Sequence, residues 1–233
     1  MYVFPAVSAL VSFWFGARVL GRYRRRRGPH HLAWGASLLM SGVASVAYIL
    51  AVALEGSPFW FRVYYLFGAL LTAAYLGLGS VYLAWGRRVG DPVMWAVVAL
   101  SLLGAILLWR APVDMQALAA LAGGPGVGIL QLGAARLILI LLNTFGAVAV
   151  VGIALRSAYR LLRRRAPAAF VAGHGLIALG VLVLAKAGSL SAVGLEGGFW
   201  LLTALGWVVT FAGFLVVERA RAASPQAPHR RAS

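Results

Sequence analysis

Six side chains in a largely apolar sequence have the chemistry to hydrogen-bond or stack on something other than lipid: Asn143, His174, Tyr75, Trp207, Thr210 and Ser41. Asn143 carries an amide that both donates and accepts. It stands in the middle of ARLILILLNTFGAVAVV, where showing that amide to hydrocarbon is costly, so it is expected to face other helices. His174 lies in AFVAGHGLIALG with a glycine on each side, and glycines let a neighbouring backbone or a ligand come close. An imidazole there can contact a ligand, respond to pH or serve as one axial ligand to haem; the plainer alternative is a histidine hydrogen-bonded between helices. Tyr75 and Trp207 offer stacking surfaces. Ser41 belongs to a stripe with Ser37 and Ser45, followed by Tyr48 on the same side. Small residues at that spacing chiefly let helices pack.

Other chemistries lack their parts. The five acids, Glu55, Asp91, Asp114, Glu196 and Glu218, all fall at or beyond the ends of apolar runs, so no carboxylate dyad or mid-membrane proton relay can be assembled. That disfavours proton-coupled or sodium-coupled movement. Cysteine is absent, which removes thiolate nucleophiles, iron–sulfur clusters and cysteine-ligated zinc. A metal site needs three or four converging ligands, and His31 with His174 supplies two. Lys186 lies near the end of its run, where snorkelling to the headgroups accounts for it; no acid stands where a retinal Schiff base would need a counter-ion. The glycine stretches at 77–79 and 123–128 are not followed by Lys-Ser or Lys-Thr and are not phosphate loops. No catalytic constellation, metal or cofactor is expected.

The elements that must position these residues follow from composition. Of 233 residues, 62% are hydrophobic and 11% charged, against about a quarter charged in soluble domains. About 20 apolar residues in helical form cross a hydrocarbon core of about 30 Å. Seven such runs occur, at about 2–20, 32–54, 59–85, 92–109, 136–158, 168–187 and 198–217. The expected fold is all-α, a polytopic integral membrane protein with seven transmembrane helices in one domain, 1–221. The first run has no preceding positive residue and no cleavage site, so it reads as a retained helix. The tail 222–233, AASPQAPHRRAS, lacks apolar periodicity and is expected to be disordered.

The net charge of +16 raises nucleic acid as a partner, but the arginines cluster at the ends of apolar runs, and no nucleic acid is expected. Arg18, Arg22 and Arg24 to Arg27, Arg87 and Arg88, Arg156, Arg160 and Arg163 to Arg165, then Arg219, Arg221, Arg230 and Arg231 all fall on one side of the seven-run plan. Arg62, Arg110, Arg136 and Lys186 fall on the other. The positive-inside bias then puts the N-terminus outside and the C-terminus in the cytoplasm, in a plasma or bacterial-type inner membrane.

EGSPFW at 55–60 and EGGFW at 196–200 are nearly the same string. Both precede an apolar run. RYRRRRGP at 22–29 and RLLRRRAP at 160–167 match at a similar offset. The runs therefore read as two half-repeats, about 1–88 and 136–221, joined by the fourth run and an external linker at 110–135. An even number of crossings between partners makes the repeats parallel. This 3+1+3 plan resembles the architecture of the sugar-facilitating SWEET and PQ-loop transporters, although no Pro-Gln pair stands in the first or fifth run. Phe59, Trp60, Phe199 and Trp200 are expected to anchor at the interface. Within the linker, MQALAALA can form a short interfacial helix stopped by Gly123, Gly124 and Pro125; a plain linker is preferred.

These readings favour a facilitator or permease for a small neutral solute, with its site between the halves. The alternative is a seven-helix sensor or receptor-like module acting through a separate partner. A haem- or lipid-binding membrane protein comes third.

Overall fold

The computed structural model of the chain describes residues 2–121, 123–192 and 198–223, and it is all-helical. Helices α1 (Val3–Arg26) and α2 (Pro29–Ala53) meet at Arg27 and Gly28. Pro29 suits the first turn of α2 because an N–H there has no intrahelical partner to lose. Helix α3 (Pro58–Tyr64) passes into a π-helical turn, Tyr65–Leu71, and on into α4 (Thr72–Arg110). A short α5 (Met115–Ala119) precedes α6 (Ala135–Arg163), α7 (Ala168–Ala192) and α8 (Phe199–Ala223).

Six of these helical stretches are long and apolar enough to cross a membrane. One of them, Pro58–Arg110, has 53 residues, which would make a straight rod of about 80 Å. It is folded back at Gly86, whose φ of 69° and ψ of −161° belong to a region open essentially to glycine alone. Its two ends consequently meet. The rings of Phe59 and Trp109 lie 5.9 Å apart, and Arg62 Nη2 donates to the Ala111 carbonyl at 2.9 Å. Seven apolar rods thus stand side by side, and the fourth begins at Arg87 rather than at the expected 92.

Neighbours close into a ring: α1 packs on α2, α2 on α4, α4 on α6, α6 on α7, α7 on α8, and α8 returns to α1. The α7–α8 contact is backbone to backbone. A Cβ on Gly213 would stand 2.7 Å from the Gly173 carbonyl oxygen, and one on Gly206 would stand 3.0 Å from that of Gly180. These two crossings are one heptad apart on each helix, so small residues set the interaxial distance along its length. Where α1, α2, α4 and α8 converge, Trp207 is buried with Phe15, Leu38 and Phe211, and Leu76 packs on the group.

At the arginine-rich end, α1, α6 and α8 run past the expected limits of 20, 158 and 217. Arginine is a good helix former, and apolarity marks only the part of a helix that lies in hydrocarbon. Arg22 pairs with Glu218 at 2.7 Å and lies over the Phe214 ring at 4.5 Å, which ties the end of α1 to α8. From residue 224 onward the tail, for which disorder is expected, lies outside the described residues, as do Glu196 and Gly197 of the second aromatic string.

The segment at 111–133 is not a plain linker. Asp114 caps α5 by accepting from the N–H groups of Gln116 and Ala117, each at 3.0 Å. An isolated antiparallel bridge joins Val113 to Leu130, and Leu118, Ile129 and Leu130 are buried. The physical reason is that these apolar side chains and the loop's backbone groups are satisfied together only by folding onto the bundle. No regular periodicity records that in sequence.

Candidate functional site

The irregular part of the bundle is the π-helical turn Tyr65–Leu71. Such turns widen the helix and leave carbonyls poorly matched to their own ladder. Three polar side chains meet that need. Asn143 of α6 donates through Nδ2 to the Ala69 carbonyl at 2.6 Å, and to Leu139 of its own helix at 2.8 Å. Thr72 Oγ1 donates to the Phe67 carbonyl at 2.7 Å, and Ser37 of α2 donates to the Thr72 carbonyl, also at 2.7 Å. The turn is therefore clamped from both neighbouring helices, α2 and α6.

Directly beyond it, the loop tip Gly124–Gly126 covers an aromatic cluster. Tyr48 OH donates to the Gly124 carbonyl at 2.8 Å, and Tyr65 OH, from the first residue of the π turn, donates to that of Gly126 at 3.3 Å. Tyr48 also packs on Trp200 at 4.5 Å and on Tyr64 at 5.2 Å. Gly126 has φ 71°, and a Cβ there would stand 2.7 Å from the Phe61 ring, so only glycine allows the loop to press this close. Trp200 is 5% exposed and its indole N–H has no hydrogen-bond acceptor among the described residues.

Trp200 is thus not the interfacial anchor expected of it. Phe59 is 53% exposed and suits that role. The two Phe-Trp pairs share one local geometry, with ring centroids 5.2 Å apart in both and interplanar angles of 81° and 82°. What differs is what covers them: Tyr48 and Tyr64 lie against the second tryptophan, whereas Trp60 is only partly buried against the same cluster.

The six residues singled out from sequence are spread over separate interfaces, and among the described residues no hydrogen bond or ring contact joins any two of them. Asn143 serves the π turn. His174 is half-buried, with Nδ1 2.8 Å from the Phe170 carbonyl of its own helix. Trp207 belongs to the core between α1, α2, α4 and α8. Thr210 is buried and donates to Gly206 at 2.7 Å. Tyr75 is partly buried against the clusters around Val97 and Tyr82. Ser41 meets Ser12 of α1 at 3.1 Å. The serine stripe accordingly serves two partners, with Ser41 turned to α1 and Ser37 to α4.

The residues that sequence reading passed over are Tyr65, Thr72 as a clamp, and Gly124 to Gly126. Paired tyrosines in an apolar run carry a usable signal, since a buried phenol must find an acceptor. The π turn itself leaves no pattern in FRVYYLFGALLT. A cavity of about 590 Å³ lies elsewhere, among the arginines at the end of α6; neither Asn143 nor His174 lines it. No group of three or more His, Asp or Glu side chains suited to a metal occurs among the described residues. No protein-family model, no curated protein and no solved structure matches the chain.

Proposed function

We propose that this protein is an integral membrane facilitator for a small neutral solute, with the π turn and the loop above it as its moving parts. The observation that carries this reading is the shared residue Tyr65, which both opens the π turn and holds the loop at Gly126. Sliding the turn into α-helical register would release Asn143 from Ala69 and swing Tyr65 away from the loop. One local rearrangement would then open the loop end of the bundle.

The two-fold plan of the halves, read from the repeated strings at 55–60 and 196–200, is part of this proposal and puts the solute path between the halves. On this reading residues 1–221 form one domain in a plasma or bacterial-type inner membrane, with the arginine-rich end in the cytoplasm and the N-terminus and loop 111–133 outside. The solute is neutral because the interior carries amide, hydroxyl and aromatic groups rather than charges.

Flux measured in proteoliposomes across sugars, amino acids and vitamins tests the proposal. Facilitated entry that falls in Asn143→Ala is expected, and absence of flux for the whole panel would overturn it. The seven apolar rods with basic loops at one end also fit a second reading, a sensor that signals through a separate partner. Stable co-purification of such a partner, with no flux, would establish that one.

A further inference from the structure

The arginine cluster at the end of α6 has a property that insertion bias alone does not require. Arg156, Arg160, Arg163 and Arg164 converge with Tyr159 around the cavity of about 590 Å³. They lie at helical spacing on one side of the last turns of α6, where the helix dipole favours cations while the like charges three and four residues apart repel one another, so an anion set among them would relieve that repulsion. Among the described residues the ion pairs are those of Arg18 and Arg22 with Glu218, so no carboxylate serves this group. Arg163 instead lies over the Tyr159 ring at 5.6 Å.

A second feature of the same helix continues the site into the apolar region. Leu141, Val148, Leu155 and Leu162 are 55%, 67%, 53% and 65% exposed and recur every seven residues, which makes one straight stripe along α6. At about 100° per residue, Tyr159 falls between this stripe and the arginine face. Gly152, one to two turns before the arginines, has open space around its Cα. Helix α6 has 29 residues, about nine more than a hydrocarbon core of about 30 Å requires, so its last turns stand at the depth of the lipid phosphates.

We infer that α6 carries a binding site for an anionic phospholipid, with the phosphate held by Arg156, Arg160 and Arg163 and an acyl chain lying along the Val148–Leu155 part of the stripe. Guanidinium forks match phosphate oxygens in paired hydrogen bonds. The adjoining stripe selects a lipid over a free phosphate, because a soluble anion gains nothing from it. This inference is independent of whether the protein moves a solute.

The test is native mass spectrometry of the detergent-purified full chain, titrated with phosphatidylglycerol or phosphatidylcholine. Retention of phosphatidylglycerol is expected to be about tenfold stronger, on the scale that charges of this kind provide at a lipid surface. Arg156→Gln, Arg160→Gln and Arg163→Gln should each reduce that preference. Arg87→Gln and Arg88→Gln, at the same end of the bundle, should leave it unchanged, and Leu155→Ser should weaken binding of both lipids. Equal retention of the two lipids, an equal loss in the Arg87 and Arg88 variants, or displacement of the lipid by inorganic phosphate at equimolar concentration would each overturn the assignment. Monodisperse elution of each variant shows that a loss is not misfolding, and Arg163→Lys, which keeps the charge but not the fork, gives an intermediate preference if the fork matters.

Discussion

The amide nitrogen of Asn143 lies 2.6 Å from the carbonyl oxygen of Ala69, 74 residues earlier in the chain. That bond joins α6 to the one π-helical turn of the described residues. Removing it leaves a carbonyl without a partner in a place water does not reach. Asn143→Ala is expected to destabilise the protein by about 1 kcal/mol, the scale of hydrogen bonds between membrane helices. Thr144→Ala, at an exposed neighbour, should change little. Thermal unfolding in detergent compares the two.

Gly146 faces the Ala73 backbone so closely that a Cβ would collide with its carbonyl group. Because the obstacle is backbone, it cannot rotate aside. Gly146→Ala should force α4 and α6 apart and lower stability by about 1–3 kcal/mol, as overpacking does. Gly152, on the same helix with open space around it, is the control: Gly152→Ala should be neutral or stabilise by up to about 1 kcal/mol through helix propensity.

The absence of cysteine makes the loop easy to probe. A single cysteine introduced at Ile129, which is 4% exposed, should react slowly with a water-soluble maleimide. Adding Tyr48→Phe and Tyr65→Phe removes both hydroxyls that hold the loop tip, and labelling should then accelerate several-fold. Equal labelling rates in the two backgrounds would show that the hydroxyls do not hold the loop in place.

Arg22 has two partners, the Glu218 carboxylate and the Phe214 ring. The carboxylate is about one-third exposed, so solvent screens the pair and Glu218→Gln should cost less than about 1 kcal/mol. Arg22→Ala loses the ring contact as well and should cost more than Glu218→Gln. Salt should narrow the gap between wild type and Glu218→Gln but preserve the ring contribution, which is checked by melting curves at low and high ionic strength.

The seven apolar rods, their approximate limits and the segregation of arginine from apolar sequence were determined by the residues themselves. A backbone in hydrocarbon must satisfy its own hydrogen bonds, and that demand leaves a long apolar run little choice but helix. The small-residue role of the serine stripe was legible for the same reason, since a short hydroxyl on a helix face suits a close neighbour. Tertiary structure alone decided the rest. Trp60 and Trp200 sit in matching strings with matching local geometry, yet only Trp200 is buried, because Tyr48 of α2 and Tyr64 of α3 pack on it. The π turn is held by Asn143 of α6 at Ala69 and by Ser37 of α2 at Thr72, the residue that follows it, partners no local window contains. Local physics sets which segments can be rods; which faces meet, and what a loop covers, depends on partners distant in the chain.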